Sequence, residues 1–384
     1  MPAPPFPWLL LGAACWATFI ITGSGVVRSP FLLEIARDLS SSFLAVANLF
    51  SFTAFAWGIA ALFAGATSDR IGRRPLLVVA HLALIVGTVG VANSHSYPVV
   101  AFWTLVAGAG GGGHMGVIFA AVSDHVPPDR RGRALGWIIT GQSLSFVVGV
   151  PLATWIGSMT DWRGVMLGVA AADVVAILGL WTALPGGRHV PASAAPSLRQ
   201  MIPEGRVAML LAAGTTERVC YGVVAVYFAT LLKLRYDLSL AQLTLPLALM
   251  AAGNLVGNAA GGRIADQLPR RERSFALASL ATGGLAILLF AIDTGLWTAV
   301  GLGFAYAFVN ALGRPAIVAV LSEVSREMRG AILGLNITCA SLGWITAAAA
   351  GGVMIDRFGV GSVAVLTACM SLLGAALALV AGRR

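Results

Sequence analysis

The chain has 384 residues, 58% of them hydrophobic and 11% charged, with a formal net charge of +9. A water-soluble domain carries roughly 25% charged residues, so this composition, with a mean hydropathy of +0.86, excludes a polar surface over most of the molecule. The positive balance does not indicate nucleic acid, because the 24 arginines and one lysine sit mostly in short loops between apolar segments, where membrane topology places them.

Twelve apolar spans follow one another at roughly 8–31, 43–66, 75–94, 98–125, 134–158, 163–184, 207–232, 240–262, 273–292, 296–321, 331–354 and 360–381. Each is long enough to cross a hydrocarbon core about 30 Å thick. No basic stretch precedes span 1, whose first arginine is Arg28, so a cleaved signal peptide is not expected. Between spans 6 and 7, residues 185–206 hold Pro185, Gly186, Gly187, Pro191, Pro196 and Pro203. The expected organisation is therefore an N-terminal six-helix bundle (1–184), a cytoplasmic linker (185–206) and a C-terminal six-helix bundle (207–384). The fold class is an all-α membrane protein with twelve transmembrane helices in two pseudo-symmetric bundles. The four cysteines, Cys15, Cys220, Cys339 and Cys369, all lie within apolar segments and read as small hydrophobic residues.

With the N-terminus inside, 17 arginines fall on the inner loops and termini, 5 basic residues on the outer loops (Arg37, Arg163, Lys233, Arg235, Arg357) and 3 within spans. That asymmetry predicts both termini in the cytoplasm. The halves also repeat. Gly65-x-x-x-Asp69 returns as Gly262-x-x-x-Asp266 at an offset of 197, and Arg131-Gly132 as Arg329-Gly330 at 198. Ser123-Asp124 returns as Ser322-Glu323, and Asp38-Leu39-Ser40 as Asp237-Leu238-Ser239, both at 199. Parallel repeats of six helices suit a transporter that rocks its halves about a central site.

Residues 65–75, between spans 2 and 3, read Gly-Ala-Thr-Ser-Asp-Arg-Ile-Gly-Arg-Arg-Pro. This resembles the G-x-x-x-D-R-x-G-R-R signature of the major facilitator superfamily. Size, topology, linker position and repeat extend the resemblance over the whole chain. A weakened copy runs from Gly262 to Arg271. In physical terms, Gly65 allows close helix approach, Asp69 suits a neighbouring helix N-terminus, and Arg73 is placed to pair with Asp124. The resemblance implies a cytoplasmic gate of Gly65, Asp69, Arg70, Gly72, Arg73 and Asp124, with Asp266 and Glu323 in the second half. In span 5, Gly141, Gly149, Pro151 and Gly157 resemble the glycine–proline motif of the superfamily's drug and sugar exporters, with Val150 and Ala153 departing from it. A further departure is Thr104, four residues before Gly108, where such exporters often carry an arginine.

Ionisable groups within spans are costly and indicate function. Arg28 lies on span 1, His114 on span 4, Glu217 and Arg218 on span 7, and Arg314 on span 10. The resemblance makes these four the cavity-lining helices. With Tyr221 and Asn310, these residues form the expected substrate and proton site. Three arginines against one carboxylate favour an anionic or strongly polarised substrate. Glu217 and Arg314 are expected to face each other, or else Glu217 pairs with Arg314 or Arg218 to stabilise the bundle. Asp173, in span 6, has no evident role. Asn254, Asn258, Asn310 and Asn336 either line a cavity or join helices.

Gly108-Ala-Gly110-Gly-Gly-Gly113 matches a dinucleotide fingerprint but follows no strand. Gly108, Gly112 and Gly116 read instead as a packing groove. The five histidines (81, 95, 114, 125, 189) show no metal-ligand spacing, so neither a metal nor a cofactor is expected. The chain reads as a secondary active transporter, not an enzyme: a proton-coupled exporter of a small organic molecule working by alternating access. The alternative is a uniporter, importer or exchanger of organic anions; a non-transporting sensor is the reading from another class. Expected partners are the substrate, protons and the lipid of a bacterial inner membrane, with no nucleic acid and with the chain as a monomer.

Overall fold

A computed structural model describes residues 7–127, 130–184, 205–267, 270–324 and 329–383. Twelve helices among them are long and apolar enough to cross a membrane. They run Trp8–Asp38, Phe43–Ile71, Arg73–Ala92, Tyr97–Asp124, Arg131–Met159 and Trp162–Ala183, then Gly205–Tyr236, Leu240–Ala265, Arg271–Ala291, Leu296–Leu321, Leu335–Phe358 and Val360–Ala381. They are numbered here as spans 1 to 12. Large apolar side chains such as Phe63 (65% exposed), Leu178 (60%) and Leu277 (68%) point outward. Apolar exposure on that scale is stable only against lipid.

Several helices outrun their hydropathy. Span 1 continues through a 3₁₀ turn at Ser29–Phe31 into a short helix, Leu32–Asp38. Lys233 and Arg235, expected in a loop, lie in the last turn of span 7. Gly205 and Arg206, expected in the linker, open that same helix. The reason is that hydropathy marks the lipid-buried stretch, whereas backbone hydrogen bonding continues into the interface, where long cationic side chains keep their heads wet. Most of the linker, with Arg188 and Arg199, lies outside the described residues.

The chain divides into two compact units. One contains the described residues up to Arg28 and from Phe52 to 184; the other contains Ser29–Ser51 and the described residues from Gly205 onward. In the first unit, span 1 packs on spans 4, 5 and 6, and span 3 on spans 4 and 6. In the second, span 7 packs on spans 10, 11 and 12, and span 9 on spans 10 and 12. Each pairing of the first unit thus recurs in the second with six added to both numbers. The first unit closes on Leu11, Ala14, Ile118, Ala121, Ile138 and Leu180. The second closes on Leu210, Ala213, Phe275, Ile317, Leu321 and Ala378.

Glycines set the closest approaches. A Cβ at Gly108 would come 2.6 Å from the Thr53 carbonyl oxygen, and one at Gly112 would collide with that of Trp57, so span 4 lies directly on the backbone of span 2. Span 8 presses Gly253, Gly257 and Gly261 in the same way onto the carbonyls of Phe304, Phe308 and Leu312 in span 10. Gly116, expected in the span 4 groove, faces open space, and so do Gly65 and Gly262. Gly110 and Gly113 instead meet Ala80 of span 3, and Gly111 meets the ring of Trp57. Gly141 abuts the Cys15 backbone and Gly149 the Phe19 ring. The α-helix of span 5 gives way to a π-helical turn at Ser145–Gly149 just before Pro151. A proline has no N–H to continue the i→i−4 ladder, and here the Val150 N–H reaches back to Ser145 O. Gly157 is buried in the helix that follows.

Candidate functional site

The second unit gathers the intramembrane charges of span 7. Glu217 is 5% exposed. Its Oε1 accepts from Arg314 Nη2 at 3.1 Å and its Oε2 lies 3.0 Å from Arg218 Nε. One carboxylate is therefore held between two guanidiniums, one per oxygen. The two pairings the sequence offered as alternatives coexist. The Arg314 guanidinium also lies over the Tyr221 ring, 5.2 Å from its centroid, and Tyr221 meets Trp344 edge to face at 5.8 Å. Pro315 follows Arg314 inside span 10, so one helical hydrogen bond is missing beside the site. A small recess opens on these groups, lined by Gly214, Glu217, Arg218, Arg314, Ile317 and Asn336. Asn310 is buried and its Oδ1 has no hydrogen-bond partner. Asn258 donates to the Asn254 carbonyl and side chain along span 8, joining residues of one helix.

Arg28 and His114 belong to the first unit. Arg28, expected in the substrate and proton site, is 5% exposed. It donates to Thr104 Oγ1 at 2.8 Å and Thr53 Oγ1 at 2.5 Å. The guanidinium that the sequence lacks at position 104 is thus delivered to Thr104 from span 1. His114 is fully buried among spans 1, 3 and 4, with its Nε2 3.1 Å from Thr18 Oγ1 and its Nδ1 3.1 Å from His81 Nε2. His81 Nδ1 in turn lies 2.6 Å from Asp173 Oδ1. Three ionisable residues that look scattered in the sequence are therefore joined, and Asp173, unexplained there, has a partner. His81 and Thr18 were missed because hydropathy and helical period say nothing of contacts between helices. The available signal was that His81, His114 and Asp173 are all costly mid-span groups in search of partners.

The loop between spans 2 and 3 carries its own ionic cluster. Arg73 Nη1 lies 2.6 Å from Asp69, and its Nε lies 3.3 Å from Asp124 at the end of span 4. Arg73 also donates to Ser68 Oγ. Asp69, expected at a neighbouring helix N-terminus, pairs with Arg73, the first residue of the helix Arg73–Ala92. Gly72 adopts φ +98°, a conformation that L side chains rarely adopt, and so makes the break between spans 2 and 3. Arg70 is exposed. The second unit repeats the pair: Arg271 Nη1 lies 2.6 Å from Glu323. The side chain of Asp266 lies outside the described residues.

Two repeats of six membrane helices, with ionisable groups inside their first and fourth members, define a polytopic membrane protein of the transporter class. The sequence model of the Major Facilitator Superfamily matches residues 14–290 and 210–384, and the chain belongs to that family. It is 28% identical over 328 residues to a chloramphenicol resistance protein of Streptomyces lividans, covering 84% of this chain and 82% of that one. It is 26% identical over 328 residues to the inner membrane transport protein YdhP of Escherichia coli K12, with the same coverage of 84% and 82%. Among solved structures, a bacterial homologue of the human lysosomal transporter Spinster superposes with a TM-score of 0.83 at 16% identity, over 99% of this chain and 98% of that one. The xylose transporter XylE of E. coli gives 0.76 at 16% identity, over 97% and 96%.

Proposed function

We propose that this chain is a proton-coupled exporter of a small organic molecule, working by alternating access in a bacterial inner membrane with both termini in the cytoplasm. The observation that carries this reading is Glu217, held by Arg218 and Arg314 at the recess of spans 7, 10 and 11. A proton on Glu217 competes with the arginines for the carboxylate. Protonation frees Arg314 and leaves the recess one charge more positive. A substrate that draws on the freed arginine is then bound and released in step with the proton. The chloramphenicol resistance relative and the glycine–proline pattern of span 5 support outward transport. The Arg73–Asp124 and Arg271–Glu323 pairs act as gates at the cytoplasmic face.

A second reading, an organic-anion carrier, is favoured by charge: two arginines flank one carboxylate, and Arg28 adds a third cation in the first unit. A thermal-shift screen of organic anions, organic cations and chloramphenicol against the purified protein separates the two. The best stabiliser is then followed in proteoliposomes. Wild type should move it only with an imposed pH gradient, and Glu217→Gln should bind it yet lose gradient-driven flux. Flux that ignores the gradient overturns coupling and leaves the anion carrier.

A further inference from the structure

We infer that the first unit contains a second proton site, built from Asp173, His81, His114 and Thr18 and distinct from Glu217. All four residues are 0% exposed. They form one unbranched chain across four helices: Asp173 of span 6 to His81 of span 3 at 2.6 Å, His81 to His114 of span 4 at 3.1 Å, and His114 to Thr18 of span 1 at 3.1 Å. Each imidazole uses both nitrogens within the chain. The nitrogens stand in series and do not converge on a point, which is a geometry for relaying protons and not for holding a metal.

The chain has two hydrogen-bonded states that differ by one proton. In the first, Thr18 O–H donates to His114 Nε2, His114 Nδ1–H to His81 Nε2, and His81 Nδ1–H to the Asp173 carboxylate. In the second, a proton has arrived at His114 Nε2, the proton on His114 Nδ1 has crossed to His81 Nε2, and that on His81 Nδ1 has crossed to Asp173. Every bond then runs the other way. Asp173 is a neutral acid donating to His81, and His114 Nε2–H donates to Thr18 Oγ1. One proton enters at one end, and the charge is cancelled at the other. Asp173 Oδ2 is buried without a hydrogen-bond partner, and a carboxylate so poorly solvated in a lipid-embedded core is costly. The described arrangement is therefore the state that holds the proton.

Four other ionisable groups of the first unit have partners outside this chain. Arg28 reaches Thr53 and Thr104, Arg74 stacks over Trp181, Arg163 donates to Ser94 O, and Asp124 pairs with Arg73. Cys15 of span 1, Tyr97 of span 4 and, at or beside helix ends, Asp69, Arg70, His95, His125, Arg130, Arg131, Arg133 and Asp161 complete the set among the described residues of this unit. Thr18 precedes Glu217 by 199 residues, the repeat offset, and His114 is the chain neighbour of Met115, which stands 199 residues before Arg314, so the Thr18–His114 contact lies beside the place in the first unit that Glu217–Arg314 holds in the second. Each half carries one proton-binding contact between its first and fourth helices.

The inference rests on the chain being a transporter, but not on Glu217 being its coupling acid. Its test needs no substrate. Protein labelled with ¹⁵N-histidine, in lipid nanodiscs, is followed by NMR from about pH 5 to about pH 9. His81→Gln and His114→Gln variants assign the signals. In wild type, His81 and His114 should exchange tautomers together in a single step, which Asp173→Asn abolishes and Glu217→Gln leaves unchanged. Tautomers that stay fixed across the range, or two imidazoles that charge independently of Asp173, overturn the inference and make the chain a structural tie. The collective step is read from the wild-type spectra once these signals are assigned, so an Asp173→Asn variant that fails to fold leaves the outcome to wild type. A missing step alongside loss of gradient-driven flux in Glu217→Gln would sink this inference while sparing the proposed function.

Discussion

Arg28 of span 1 donates to Thr104 of span 4 across 2.8 Å. A guanidinium therefore occupies the neighbourhood of position 104 although residue 104 is not an arginine. If the position of the charge matters and not its helix of origin, Arg28→Ala should reduce transport at least tenfold. The double variant Arg28→Ala/Thr104→Arg should recover most of the loss. Flux of the screened substrate in proteoliposomes measures both, and a double variant as inactive as the single one would show that Arg28 acts through its own geometry.

The pairing of Glu217 with two arginines separates their roles. Arg314 reaches the carboxylate from another helix, whereas Arg218 is its chain neighbour. Arg314→Lys keeps the charge but loses the planar fork and the stacking on Tyr221, so substrate affinity should fall at least tenfold. Arg218→Lys should cost less, within about threefold. Isothermal titration with the best ligand of the screen decides, and equal losses would contradict a distinct role for Arg314.

Arg73–Asp124 and Arg271–Glu323 are partly solvated, so each should contribute at most about 1 kcal/mol to stability. Alanine at Arg73 is expected to leave thermal unfolding nearly unchanged while altering transport rate, as expected of a gate. A large fall in melting temperature with transport per folded molecule preserved would make the pair structural.

Glycine positions offer a matched stability test. Gly257→Val drives a side chain into the Phe308 carbonyl and should destabilise by about 1–3 kcal/mol or prevent folding. Gly65→Ala meets open space and should leave the melting temperature unchanged. Scanning fluorimetry checks both, and a strong effect of Gly65→Ala on melting would restore the close approach expected from its motif.

Topology can be read directly. A cysteine at Ser193 should react with an impermeant maleimide only from the cytoplasmic side, and one at Ser96 only from outside. The opposite pattern would overturn the charge-based orientation.

The sequence made the repeat, the number of spans and the Glu217–Arg314 pair legible, because intramembrane charges are few and the repeat offset sets their depth. It did not reveal the chain from Asp173 to Thr18. His81 and Asp173 stand 92 residues apart on helices whose rotation about their own axes no periodicity fixes in a bilayer, where helix faces toward lipid and toward protein are both apolar. Gly65 and Gly116 were misread for a related reason: spacing shows that a glycine could admit a neighbour, but only packing shows whether one comes.

The glycine seams carry a consequence for the interchangeability of the two halves. In the pair formed by the second and fourth helices of each unit, the first unit puts its glycines on the fourth helix, span 4, and the second puts them on the second helix, span 8. The duplicated scaffold has reached the same contact from opposite sides. A helix transplanted alone between halves would therefore meet either a partner that is also glycine-faced, leaving a void, or one that is also bulky, forcing the backbones apart. Only the two helices moved together would fit, so the unit of exchange in this protein is the helix pair.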